Sequence, residues 1–211
     1  MAEEFDLELE PVGAGAVFGA GIGQARDYAT ALVLDSDMLG LLGPREMPRL
    51  WTRHILNSAV VAELLESGEL VADVGSGAGL PGIPMAIARP DVHFTLIEPM
   101  ERRSGWLQEQ VETLGLSNVT VLRARAEEVQ NHQFDVVTAR AVSALPKLLR
   151  LTVPLLKPHG RVLALKGSKA QEEILDSTPL QKKLKIASFE TVFTGVTHLA
   201  EPTFVVITRL I

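Results

Sequence analysis

From residue 70 onward the 211-residue chain alternates between two hydrophobic patterns, and this constrains its fold more than any other feature. Short apolar runs rich in β-branched residues stand at 70–75 (LVADVG), 92–98 (VHFTLIE), 118–124 (NVTVLRA), 134–140 (FDVVTAR) and 161–167 (RVLALKG). Between them lie stretches with helical spacing, at 81–89, 101–115, 142–156 and, more weakly, 168–176. Near-continuous apolar strands separated by helices predict a parallel sheet covered on both faces. Two further strand-like runs, 185–195 and 203–211, have no helical pattern between them and read as an antiparallel hairpin at one edge. A full dinucleotide fold would instead want a sixth strand joined by another crossover.

The first third of the chain is different. Residues 12–23 (VGAGAVFGAGIG) are rich in glycine and alanine and read as a mobile lead-in or a loop before a helix near 24–35. From Pro48, apolar residues Leu50, Trp51, Ile55, Ala59, Val60, Ala62, Leu64 and Leu65 recur at helical spacing until Gly68. The net charge of −6 is unevenly spread: residues 1–37 hold eight acids and one base, leaving eighteen acids and nineteen bases in the rest. We therefore divide the chain into an acidic, helical N-terminal extension (1–46) and one compact domain (47–211) with a near-neutral body. The absence of cysteine excludes disulfides, thiolate metal sites and cysteine nucleophiles, and agrees with a reducing compartment. No apolar run is long enough to predict a membrane span, and the acidic start is unlike a signal peptide.

The first strand runs into VADVGSGAGLPG (71–82). Glycines after a strand and before a helix let a ligand approach main-chain N–H groups. Gly77, Gly79 and Gly82 spell a dinucleotide pattern, whereas Asp73, Gly75, Gly77 and Gly79 spell the pattern of a methyl-donor site. Asp73 tips the balance. A carboxylate there can face the cationic methionine end of S-adenosylmethionine but would repel a pyrophosphate. Pro81 and Pro84 fit the first turn of the helix that follows. Glu98, at the end of the next strand, can accept hydrogen bonds from ribose hydroxyls in either cofactor.

Other candidates stand at strand ends, which line the crevice of such sheets. Ala126 and Glu127 follow the third strand, beside the adenine position if the strand order is 3-2-1-4-5. Arg140 ends the fourth strand and can hold a phosphate, a purine edge or a carboxylate. Lys166 ends the fifth. Arg49, Arg53, Arg102, Arg103, Arg123, Arg125, Lys166 and Lys169 are candidate contacts to RNA phosphates. His54, alone on its helix, reads as structural rather than catalytic. No N-P-P-Y or D-P-P-Y follows the fourth strand, there is no cysteine for pyrimidine-C5 chemistry, and no histidine–carboxylate cluster has metal-ligand spacing. The easiest acceptor is one that needs no deprotonation, such as guanine N7.

The segments RLWTRHILNSAVVAELL, VADVGSGAGLPGIPMAI, TLIEPMERRSGWL, NVTVLRARAEEV, FDVVTARAVSAL, PLLKPHGRVLALKG and the later QEE resemble the bacterial 16S rRNA guanine-N7 methyltransferases, also called the glucose-inhibited division protein B family. The resemblance spans about residues 40–170. It departs where GPREMPRLW stands in place of an asparagine-rich segment, where HILNS replaces the commoner H-[IL]-x-D-S, and where MERRSGWL has arginines for a K-R pair. It implies a class I, Rossmann-like methyltransferase: a mostly parallel seven-stranded sheet with a terminal antiparallel hairpin and an N-terminal helical extension. It also implies a cytoplasmic enzyme using S-adenosylmethionine on 16S rRNA, presented as the 30S subunit or an assembly intermediate, with a link to streptomycin susceptibility. By motif match it puts the cofactor on Gly75, Leu80, Ala126, Glu127 and Arg140, with Glu98 on the ribose; the loop pattern itself adds Asp73, Gly77 and Gly79 as cofactor-binding candidates. Arg140 and Lys166 are the candidate catalytic residues, acting by positioning, with no metal and a monomeric protein. Two rival readings are a nicotinamide-dependent oxidoreductase on the same glycines and a non-catalytic RNA-binding assembly factor.

Overall fold

β-Branched and aromatic residues at alternating positions build a seven-stranded sheet in this computed structural model, which describes residues 7–129 and 133–211. Glu3, Glu4 and Asp6 of the acidic start lie outside the described residues. The strands are β1 (Leu70–Val74), β2 (His93–Ile97), β3 (Val119–Leu122), β4 (Phe134–Arg140), β5 (Leu156–Leu165), β6 (Ile186–Thr194) and β7 (Thr203–Leu210). Their order is β3-β2-β1-β4-β5-β7-β6. The first five are parallel, and β7 runs antiparallel to both β5 and β6. The edge hairpin is thus present, and it separates this sheet from the all-parallel dinucleotide order.

The parallel strands are buried on both faces, and their residues alternate between two cores. Val71, Phe94, Leu96, Val136 and Leu163 point into one. Ala72, Val74, Ile97, Val137, Val162 and Ala164 point into the other. On the first face lie α1 (Ala14–Phe18), α2 (Ile22–Leu39), the helical segment that ends before β1, α4 (Gly82–Ala88) and α5 (Glu101–Thr113). On the second lie α6 (Leu145–Thr152) and α7 (Ala170–Ser177), while a one-turn helix, α8 (Gln181–Leu184), leads into β6. Among the described residues no helix is long and apolar enough to cross a membrane.

Two stretches differ from the sequence-based expectation. Residues 12–23, expected as a mobile lead-in or loop, fold into α1 and a 3-10 turn (Gly19–Gly21), with Ala14 and Phe18 buried in the first core. Small residues are what close packing demands here: a Cβ on Gly21 would meet Ile87 Cγ2 at 2.8 Å. The helix expected from Pro48 is also not one regular helix. It passes through 3-10 (Pro44–Arg49), π (Leu50–Leu56), α3 (Asn57–Ala59) and 3-10 (Val60–Leu64) turns. Its apolar periodicity is kept, since Leu50, Ile55, Leu56, Ala59 and Val61 are buried, but the winding changes to aim its polar side chains.

Candidate functional site

The strand order reverses direction between β1 and β4, so a crevice opens at their C-terminal ends. A cavity of about 1310 Å³ lies there. Its walls come from the glycine loop (Gly75, Ser76, Gly77, Ala78, Leu80), from the ends of β4 and β5 (Arg140, Lys166), from the helical segment (Glu46, Arg49, Arg53, His54) and from the loop before β7.

Gly75, Gly77 and Gly79 all have left-handed φ values of 70°, 56° and 85°, which glycine adopts without strain. The loop is held from behind. Ser76 Oγ donates to the Asp73 carbonyl (2.9 Å), and the Gly75 and Ser76 amides donate to the Ile97 carbonyl (2.9 and 3.2 Å). Tyr28, fully buried on α2, donates its hydroxyl to the Ala78 carbonyl at 2.6 Å. The Gly79 position is packed rather than open: a Cβ there would meet Ile83 Cδ1 at 2.5 Å.

Arg140 is clamped at the cavity wall. It donates through Nη1 to Ser58 Oγ (3.0 Å) and the His54 carbonyl (3.2 Å), and its Nη2 lies 2.9 Å from His54 Nδ1. A guanidinium only donates, so Nδ1 accepts and the imidazole proton sits on Nε2. That Nε2 donates to Glu46 Oε2 at 2.8 Å. Burial, and then the Arg140 charge, push the His54 pKa down to about 4, so the ring is neutral. Burial lowers Arg140 to about 10, helped by Arg53, yet it stays cationic at neutral pH. The hydrogen bond from His54 holds Glu46 below the usual carboxylate range. Lys166 donates to the Ser143 carbonyl (2.7 Å) and pairs with Glu173 (2.8 Å), which also accepts the Leu145 amide (2.6 Å). Among the described residues no three histidine, cysteine or acidic side chains converge as a metal site.

With this geometry in place, relatives can be compared. The family described as rRNA small subunit methyltransferase G matches residues 22–202. This chain belongs to that family. The rRNA small subunit methyltransferase G of Clavibacter michiganensis is 51% identical over the whole length of both chains. That of Leifsonia xyli is 52% identical over 95% of this chain and 96% of its own. Among solved structures, a methyltransferase from Pyrococcus furiosus superposes with a TM-score of 0.59 at 17% identity, covering 85% of this chain and 94% of that one. The TYW2 of M. jannaschii in complex with AdoMet gives 0.58 at 21%, covering 72% and 73%. These two likenesses show the class I methyltransferase fold.

In this methyltransferase G family member the cavity brings together Gly75, Gly77, Leu80, Arg140, Lys166, Arg49, Arg53, Arg103 and Lys169. Other residues singled out in the sequence lie elsewhere. Asp73, expected to face a ligand, is fully buried beneath the loop, where its Oδ2 accepts the Gly82 amide (3.0 Å) and its Oδ1 has no partner. Burial raises it to about 7 despite the Gly82 hydrogen bond. Glu98 is buried and accepts the amides of Gly77 and Met100, each at 2.9 Å, so it joins β2 to the loop. Glu98, Ala126 and Glu127 stand on the β2–β3 side, outside this cavity's walls. Arg102, expected on RNA, donates to the Met38 carbonyl (3.2 Å) outside the cavity walls, while Arg103, at the wall, donates to the Gly40 carbonyl (2.8 Å); together they tie α5 to the end of α2. Arg123 pairs with Glu101 (3.0 Å), and Arg125 is exposed beyond β3.

His54 proves to be a cavity residue that fixes Arg140, which its isolation in the sequence did not signal. Glu46, Ser58 and Tyr28 were not singled out at all. Each lies far from its partner along the chain or in an irregular turn, so no spacing rule marks it.

Proposed function

We infer that this protein transfers a methyl group from S-adenosylmethionine to N7 of one guanine in 16S rRNA. The observation that carries the reading is the meeting of the glycine loop and Arg140 on one cavity, in a chain alike over its full length to rRNA small subunit methyltransferases.

The residues suit this donor. The backbone at Gly77 is open, since an added Cβ would meet nothing closer than 3.8 Å. Beneath the loop, Asp73 accepts the Gly82 amide through Oδ2 and keeps Oδ1 without a partner. S-adenosylmethionine supplies an electrophilic methyl group. Gly75, Gly77 and Leu80 hold it by backbone contact, Glu98 keeps spare lone pairs for ribose hydroxyls, and Ala126 and Glu127 take the adenine. Arg140 and Lys166 position their neighbours and exchange no proton.

Among the described residues, the titratable groups clustered with Arg140 and Lys166 are all engaged. His54 is engaged through both ring nitrogens, and Glu46, Glu173 and Lys166 are paired. An acceptor with its own lone pair fits such a site, and guanine N7 is one. The exposed Arg49 and Lys169 at the cavity serve rRNA phosphates. Residues 1–46 act as an N-terminal extension to a 47–211 catalytic domain, and the protein works as a cytoplasmic monomer on 30S subunits or assembly intermediates.

The test is transfer from labelled S-adenosylmethionine into 30S subunits that lack the modification, followed by mapping of the methylated atom. We expect one 7-methylguanosine. The Arg140→Ala variant should lose on the order of a hundredfold in rate with an unchanged circular dichroism spectrum. No transfer by the intact protein, or binding of NAD in place of S-adenosylhomocysteine, would overturn the assignment.

A further inference from the structure

Three glutamates line the cavity, and two of them are committed. Glu46 is held by His54 and Arg53, and Glu173 by Lys166 and the Leu145 amide. The third, Glu201, is exposed, and its side chain has no hydrogen bond or ion pair among the described residues. This is unusual company for a free carboxylate, because six lysines and arginines line the same cavity and none is within ion-pair reach of it.

The loop that carries Glu201 is a built structure. Gly195 opens it in the left-handed region (φ 72°), where a Cβ would meet Val60 Cγ1 at 2.8 Å. The Gly195 amide donates to Glu63 (3.1 Å), and the Gly195 carbonyl accepts the amides of His198 (3.0 Å) and Leu199 (2.8 Å). At the other end Thr203 Oγ1 donates to the Asn57 carbonyl (2.8 Å). Because β7 pairs antiparallel with β5, this loop lies at the same end of the sheet as the glycine loop.

A lone carboxylate has a specific match among the bases. Its two oxygens accept a pair of parallel N–H donors. Only guanine offers two adjacent donors on its Watson–Crick edge, N1–H and the N2 amino group. Adenine and cytosine offer one amino group beside an acceptor, and uracil one N–H between two carbonyls. N1 and N2 lie on the edge of the purine away from N7, so a carboxylate holding them leaves N7 free for the methyl group. We propose that Glu201 is the specificity-determining residue of this site, accepting hydrogen bonds from N1–H and N2–H of the target guanine. This rests on the guanine-N7 reading above.

The experiment compares wild type, Glu201→Gln and Glu201→Asp on 30S subunits reconstituted with either guanosine or inosine at the mapped target nucleotide. Inosine lacks only the N2 amino group. Wild type should lose roughly tenfold in kcat/KM on inosine, the scale of one good base-edge contact. Glu201→Gln should lose roughly tenfold or more on guanosine, yet discriminate less than about twofold between the two bases. Glu201→Asp should recover part of the discrimination. Binding of S-adenosylhomocysteine, by calorimetry, should be the same in all three. Equal discrimination by wild type and Glu201→Gln would overturn the proposal, as would loss of S-adenosylhomocysteine binding along with turnover. Methylation at N1 in place of N7 would make Glu201 a proton acceptor and overturn it too. Failure of wild type to methylate any guanine would instead refute the parent reading, and this one with it.

Discussion

Two buried ionisable residues beside the cavity, His54 and Asp73, are shifted in opposite senses. His54 is lowered from 6.5 to about 4, so between those values the unfolded chain takes up a proton that the folded chain does not. Its contribution to stability therefore grows as pH rises from 4 to 6.5. Asp73 is raised from 3.8 to about 7, so there the folded chain holds a proton that the unfolded chain has lost. Its contribution is complete below pH 3.8 and disappears as pH rises through 7. Across pH 4–6.5 the two slopes oppose each other. Asp73→Asn removes one of them, and urea midpoints of that variant should climb more steeply with pH over this window than those of wild type. Parallel profiles would show that Asp73 titrates normally. In the sequence, Asp73 was visible as a member of the loop motif, but its burial and its hydrogen bond with the Gly82 amide were not. A strand-end carboxylate reads as facing the ligand, and only the packing of α4 over β1 turns it to the Gly82 amide.

At the scale of elements, the glycine loop is as much a product of α2 as of β1. The Tyr28 hydroxyl reaches the Ala78 carbonyl in the middle of the loop, across 50 residues of chain. The C-terminal half of α2 is tied to α5 by Trp106 to Asp35 (2.8 Å) and by Arg102 and Arg103 to the α2 end. Removing only the hydroxyl, in Tyr28→Phe, leaves the Ala78 carbonyl without its donor, a loss of about 1–3 kcal/mol for a buried group. We expect KM for S-adenosylmethionine to rise about tenfold while KM for 30S subunits stays unchanged. Steady-state kinetics with each substrate varied in turn decides it, and equal rises in both would mean general loosening. All seven strands were legible because burial on one or both faces forces β-branched, apolar runs. The winding of residues 44–64 was not. Apolar periodicity records which side of a helix is buried, and the 3-10 and π turns that aim Glu46 and His54 leave that side unchanged.

For the whole molecule, charge is divided between functions. Most arginines that read as RNA ligands are occupied by the protein itself: Arg53 with Glu46, Arg102 with the Met38 carbonyl, Arg103 with the Gly40 carbonyl and Arg123 with Glu101. Few bases at the cavity remain for phosphates, so affinity for naked RNA should be modest. We expect faster methylation of intact 30S subunits than of free 16S rRNA, and a slope of log kcat/KM against log salt no steeper than about −4 on the free RNA. A markedly steeper slope would mean a larger basic face than the cavity provides. The order of strands and helices, the edge hairpin and the glycine loop follow from the sequence alone, because each depends on local periodicity or on a backbone conformation that glycine favours. The identity of the working site does not. Arg140 becomes a fixed cation only when His54, Ser58 and Glu46 gather around it, and Glu201 borders the cavity only because β7 folds back antiparallel against β5. Those contacts join residues as many as 86 positions apart, and no spacing rule reaches that far.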